Sequence, residues 1–164
     1  MGKVLFLGKI PPGELSSFIF GKFGASGKTI DAQTIAGIIK VSRAIPYYTL
    51  HLCHEIWSGC ADMKNVPRSA VDGAVGRIVQ GLSPMFLSVW DSLALSQRKL
   101  LQAMSVYTGT NLFSMEFINS YRLGSASSVQ KSEALLIAEG LLEKEDGVVV
   151  FSDIRFREWI KKKY

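Results

Sequence analysis

The stretch Leu141-Leu142-Glu143-Lys144-Glu145-Asp146-Gly147-Val148-Val149-Val150-Phe151 decides how the C-terminal half of this 164-residue chain folds. Asp-Gly favours a two-residue type I′ turn, because both central residues of that turn need a positive φ. The apolar residues on either side of the turn are typical of two short strands. The stretch therefore predicts a β-hairpin that joins residues 141–143 to residues 148–151.

Helical patterns surround this hairpin. Residues 96–107 and 114–121 read as two helices, and the serine run Ser125-Ala126-Ser127-Ser128 starts a third. After the hairpin, Asp153 is placed to cap a last helix, whose apolar side carries Phe156, Trp159 and Ile160. Three helices, a hairpin and a closing helix, in this order, predict a winged helix-turn-helix, which is a module often found on DNA.

The first half of the chain predicts a small helical bundle. We expect a short strand or an extended segment at residues 3–7, and helices that begin near Glu14, Asp31, Tyr47 and Pro67. The third of these helices, residues 47–57, is apolar nearly all round and is expected to be buried. The expected fold class is thus mainly α, with a helical bundle in residues 1–83 and a winged helix in residues 84–164.

Three further helix boundaries are predicted from proline, glycine and capping residues. Pro84 is expected to end the fourth helix, so that residues 85–90 form a short connecting helix. Ser127 and Gln130 fit the S-x-x-Q capping box at the start of the third helix of the second half. Gly140 is expected to end that helix through a left-handed cap.

Charge does not favour strong phosphate binding by the second half. The chain carries a net charge of +5. Residues 1–83 hold nine Lys/Arg against five Asp/Glu, whereas residues 84–164 hold ten against nine. Tight binding to a phosphate backbone depends on clustered Lys and Arg, so the near-neutral second half argues against it.

The third helix of the second half is nevertheless the candidate reader of a DNA major groove. Its serines and glutamine offer hydrogen bonds to base edges, and the nearby cations offer phosphate contacts. The acidic residues Glu143, Glu145 and Asp146 of the hairpin would be repelled by DNA. The nucleic-acid candidates are Arg122, Ser125, Ser127, Ser128, Gln130, Lys131 and Lys144.

Gly24-Ala25-Ser26-Gly27-Lys28-Thr29 ends like a Walker A phosphate loop, but the glycine that the pattern needs five residues before Gly27 is replaced by Lys22. A helix is also expected before it, where a phosphate loop requires a strand. His51, Cys53, His54 and Cys60 match no usual zinc spacing. We therefore expect no catalytic residue and no metal site in this chain.

The chain also resembles the C-terminal portion of archaeal-type AAA-family ATPases, in which a P-loop domain is followed by a helical lid and a winged helix. The matching segments are Leu7-Gly8-Lys9-Ile10-Pro11, Phe18-Ile19, Lys22-Phe23, Pro46-Tyr47-Tyr48, Leu52, Glu55-Ile56-Trp57, Trp90-Asp91-Ser92-Leu93, Gln97-Arg98-Lys99-Leu100-Leu101, Leu123, Ser125 to Val129, Asp153-Ile154-Arg155-Phe156 and Trp159-Ile160. Each match is short, and their order spans almost the whole chain.

This resemblance implies a lid and winged-helix fragment of an ATP-binding protein, with ATP and Mg²⁺ held in an upstream P-loop domain. That domain would be the partner of this chain, and the winged helix would bind a further protein or double-stranded DNA. The alternatives are a free-standing DNA-binding transcription regulator and a protein-interaction adaptor. Two cysteines, no export signal and no apolar run long enough for a bilayer predict a cytoplasmic location without membrane insertion.

Overall fold

The computed structural model describes residues 10–164, which divide into two compact units that meet between Ile78 and Val79. The strand or extended segment expected at residues 3–7 and the first matching segment, up to Lys9, lie outside the described residues. The elements are α1 (Pro12–Ala25), β1 (Thr29–Ile30), α2 (Ala32–Ser42), α3 (Pro46–Gly59), β2 (Asn65–Val66), α4 (Ser69–Ser92), α5 (Leu95–Val106), α6 (Met115–Ser120), α7 (Ala126–Ala138), β3 (Leu142–Glu145), β4 (Val148–Phe151) and α8 (Ile154–Lys163).

In the first unit, β1 and β2 form a short parallel pair, and the core is aliphatic. Ile19, Ile38 and Ile56 from α1, α2 and α3 are almost completely buried. Asp31 caps α2 as predicted, since its Oδ1 accepts the Thr34 N–H at 2.6 Å. That hydrogen bond holds the pKa of Asp31 below its usual value.

The expectation that α3 is buried is wrong. Only one stripe of the helix is buried, formed by Thr49, Leu52 and Ile56. Tyr47 and Leu50 are 64% and 52% exposed on its remaining surface. The sequence overestimated burial because α3 packs on α2 along a single face, while its apolar residues occupy more than that face.

The expectations about the ends of α4 are also wrong. The helix begins at Ser69, two residues after Pro67, and it continues through Pro84 to Ser92, so residues 85–90 are its last part. Pro84 cannot donate to the carbonyl of Gln80 one turn earlier. Gln80 and Pro84 are both exposed, so the missing hydrogen bond lies on the solvent side of α4, where it costs least, and the helix continues.

The second unit confirms the mainly helical fold with a small C-terminal hairpin. Residues Asp146 and Gly147 have φ values of 50° and 81°, as a type I′ turn requires, and Glu145 pairs with Val148 across it. Gly140, with φ 73°, ends α7 as predicted. The Leu141 N–H then donates to the carbonyl oxygen of Leu136, which completes a Schellman motif.

An aromatic cluster holds α8 against the end of α4. Phe86 of α4 lies 5.2 Å from Phe156 and 5.9 Å from Trp159, measured between ring centroids. Trp90 meets Trp159 edge to face at 6.1 Å. The indole Nε1–H of Trp159 also donates to the hydroxyl of Ser83 at 2.9 Å. The buried polar atom of the indole is thereby satisfied, so the ring packs without an unpaired donor.

The buried side chain of Lys28 caps the C-terminal end of α3 in the first unit. The side chain is only 7% exposed. Its Nζ donates to the carbonyl oxygens of Cys60, Ala61 at 3.1 Å and Met63 at 2.9 Å. An ammonium group has three donors, so all three are used, and its charge lies where the negative end of the α3 dipole falls.

We expect Lys28→Met to lower the free energy of unfolding by about 2–4 kcal/mol, because three carbonyl oxygens lose a charged donor while the apolar stem is kept. Thermal and denaturant unfolding followed by circular dichroism would measure the loss. Lys64→Met removes an exposed lysine near the same carbonyls and serves as the control. Equal stability of the two variants would contradict this role of Lys28.

Candidate interface on the winged helix

The turn between α6 and α7 and the first turns of α7 position the predicted contact residues. Arg122, Ser125, Ser127, Gln130 and Lys131 are exposed, and Ser128 is half-buried. Within α7, the exposed face formed by Ser127, Gln130, Lys131 and Ala134 lies opposite the buried side chains. The buried set is Val129, Ser132, Glu133 and Leu136. The structure thus brings Ser127, Gln130 and Lys131 onto one accessible face of α7 and leaves Ser128 outside it.

The predicted capping box at Ser127 and Gln130 is wrong. Ser125 is the N-cap, because its backbone is extended (φ −106°, ψ 159°) and its Oγ accepts the Ser128 N–H at 3.2 Å. Ser127 already lies in the first turn, and its hydroxyl lies 2.9 Å from that of Ser125. Two of the predicted contact hydroxyls are therefore engaged in starting α7.

Lys144, the cation of the hairpin, is directed to α7. Its Nζ lies 3.8 Å from Oε1 of Glu133, a residue of α7 whose side chain is only 8% exposed. Glu133 was not among the predicted contacts of Lys144, although its position on the buried side of α7 follows from the helical period. Because Lys144 itself is 64% exposed, this ion pair is weak, but it still places a carboxylate beside the cation.

The hairpin tip is acidic. Glu143 and Asp146 are exposed, and Asp146 sits in the turn itself. A DNA backbone approaching α7 along this wing would meet two carboxylates and one cation that already has an acidic neighbour. On the face of α7, Lys131 alone offers a positive charge. The interface therefore suits hydrogen bonding through small polar side chains better than phosphate binding.

The candidates for metal chemistry on α3 do not form a site in the part of the chain that the structure describes. No three His, Cys, Asp or Glu side chains come together among residues 10–164. Burial raises the pKa of Cys53 to about 11, so its thiol is protonated at neutral pH and is a poor nucleophile. The run Gly24 to Thr29 begins in the last turn of α1 and ends in β1, so only Ser26 to Lys28 form the connecting loop, and Lys28 donates to carbonyl oxygens.

We expect Ser125→Ala to lower the free energy of unfolding of the second unit by about 1 kcal/mol, because the substitution removes the N-cap of α7. Ser127→Ala is the matched control, with an expected change within about 0.5 kcal/mol. Denaturant titration of both variants would compare them. A larger decrease in the free energy of unfolding for Ser127→Ala than for Ser125→Ala would contradict this assignment and support the capping box at Ser127 and Gln130.

Comparison with known proteins identifies this unit. Residues 84–162 match a family model described as "Probable winged helix domain". No curated protein matches the chain. Across residues 10–164, no helix combines the length and the apolar character needed to cross a membrane. The match covers the aromatic cluster, α5 to α7, the hairpin and nearly all of α8, and residues 84–162 therefore form a winged helix domain.

Proposed function

We propose that this chain is the helical lid and winged-helix part of a cytoplasmic ATP-binding protein of AAA type, and that it is not catalytic alone. ATP and Mg²⁺ would bind an upstream P-loop domain, and the lid would move with the nucleotide state. The winged helix would pass that motion to a protein partner. The proposal rests on the resemblance of the sequence and on the surface of the first unit.

The observation that carries the proposal is the apolar surface that the first unit leaves exposed. Phe18 and Phe20 of α1 are 46% and 62% exposed, and Tyr47, Leu50 and Trp57 of α3 are exposed as well. Phe18 and Leu50 line one groove together with Leu15 and Pro46, and exposed apolar groups that lie together mark surfaces that another protein or domain covers. A lid packs against the nucleotide-binding domain, so such a surface is what the proposed role requires.

A protein partner suits the winged helix better than DNA does. The exposed face of α7 combines Ser127 and Gln130 with Ala134, and Leu135 is 45% exposed beside it. Small and apolar side chains of this kind allow close packing against another protein. The acidic hairpin tip disfavours a phosphate backbone.

A free-standing DNA-binding regulator is the second candidate function. It is favoured by the exposure of Ser127, Gln130 and Lys131 on one face of α7, with Arg122 just before the helix. Ser and Gln are residue types that contact base edges, whereas Lys and Arg contact phosphates.

Titration of duplex DNA separates the two candidates. We expect binding no tighter than the non-specific range of roughly 10⁻⁴–10⁻⁶ M at physiological salt, because one cation lies on the α7 face. Fluorescence anisotropy with labelled duplexes would measure the affinity. Tighter, salt-dependent binding that is lost in Lys131→Ala and kept in Lys162→Ala would favour the DNA-binding regulator.

The ATPase context has its own test. We expect the purified chain to show no ATP hydrolysis, and Lys28→Met to change nothing in that assay, because the Lys28 donors are occupied by carbonyl oxygens. The reading frame upstream of Met1 should encode a Walker A strand, loop and helix. A frame without such a domain, or hydrolysis that depends on Lys28, would refute the proposal.

A further inference from the structure

The second unit contains a cleft that was not predicted from the sequence. It lies among α5, the turn between α6 and α7, and the end of α8, and its volume is about 460 Å³. Small-molecule sites typically measure about 300–1,000 Å³, so the cleft has the size of a ligand site. We name it the basic cleft, and its polar lining consists chiefly of Lys99, Gln102, Tyr121, Arg122, Lys161 and Tyr164.

The charge in the basic cleft has one sign. Lys99 comes from α5, Arg122 from the turn before α7, and Lys161 from α8, and all three are exposed. Among the described residues, no Asp or Glu lines the cleft. The net charge of the second half is near zero, but its positive and negative groups lie in different places. Several of its carboxylates lie on α7 and the hairpin, away from the cleft lining. Three converging cations raise the local concentration of an anion.

The backbone at Arg122 is a second, independent observation. Arg122 has φ 52°, in the left-handed region that favours glycine. It occupies the C′ position of a Schellman motif that ends α6, since its N–H donates to the carbonyl oxygen of Asn119 and the Leu123 N–H donates to that of Ile118. Glycine is the usual residue there. An arginine at this position costs stability, and residues kept at such a cost cluster at functional sites.

We propose that the basic cleft binds a phosphate-bearing ligand, with Lys99, Arg122 and Lys161 as its cations. A guanidinium group presents a planar fork that matches phosphate oxygens, and the two lysines supply point charges. The tyrosine and glutamine side chains of the lining add neutral donors. The phosphate belongs either to a free ligand or to the backbone of a nucleic acid, and both sources present the same chemistry.

The test uses the full chain, with tripolyphosphate and a 12-nucleotide single-stranded DNA as probes in isothermal titration calorimetry. We expect Arg122→Gly to weaken binding by about tenfold or more, because it removes a charge-assisted contact. Its melting temperature should stay or rise, since glycine suits φ 52° better. The double variant Lys99→Gln/Lys161→Gln, which alters exposed side chains, should lose binding as well.

Lys162→Gln is the matched control, because Lys162 is exposed on the same turn of α8 and does not line the cleft. Its affinity should stay within about twofold of the unchanged chain. Binding of tripolyphosphate alone would assign a free phosphate ligand. Tighter oligonucleotide binding that the cleft variants abolish would assign a nucleic-acid backbone, with an affinity about 20-fold lower at 200 mM than at 50 mM salt for three contacts.

Three outcomes would overturn the proposal. The first is no binding of either probe at 50 mM salt. The second is binding that Arg122→Gly and the double variant leave unchanged. The third is an equal loss in Lys162→Gln and in the cleft variants, which would show non-specific attraction to the basic end of α8.

Discussion

The second unit depends on the packing of Trp159 against the end of α4. Its ring meets Phe86, Trp90 and Phe156, and its indole N–H finds a partner in Ser83. This contact joins the last helix of the unit to its first, and α5, α6, α7 and the hairpin lie between these two helices in the chain. The basic cleft depends on the same helix, because Ile160 and Lys161 of α8 and the following Tyr164 line it, whereas α7 packs on α5.

Local rules explain which parts of the fold could be predicted from the sequence. The Asp146-Gly147 turn, the cap at Asp31 and the left-handed Gly140 each depend on a few neighbouring residues, and the structure confirms all three. The prediction that Pro84 ends α4 was wrong, because the effect of a proline depends on whether the missing hydrogen bond lies on the solvent side of the helix. Likewise, the burial of α3 depends on which neighbours pack on it, and an apolar pattern does not contain that information.

The candidate site was predictable in the same partial way. The exposed residues of α7 follow from the helical period, whereas the partner of Lys144 and the members of the basic cleft do not. Lys99, Arg122 and Lys161 come from three elements separated by 23 to 62 positions in the chain. Only the packing of α5 against α8 brings the first and last of them together.

The lysines show why the net charge of the chain does not tell where an anion can bind. Lys28 is buried against carbonyl oxygens, Lys144 lies beside Glu133, and Lys163 sits 4.9 Å from the ring centre of Trp159. Each of these cations already interacts with a neighbouring group of this chain, through hydrogen bonds, an ion pair or an aromatic ring. A count of charges treats them as equal to Lys131 and Lys161, which are exposed.

The burial of Lys28 also makes this side chain a reporter of motion. A reagent that modifies amines must reach the nitrogen, and Nζ of Lys28 is buried among the carbonyl oxygens after α3. Labelling of this one amine therefore requires the end of α3 to open. Its rate, set against the rates at exposed lysines, would follow local opening of the first unit under native conditions.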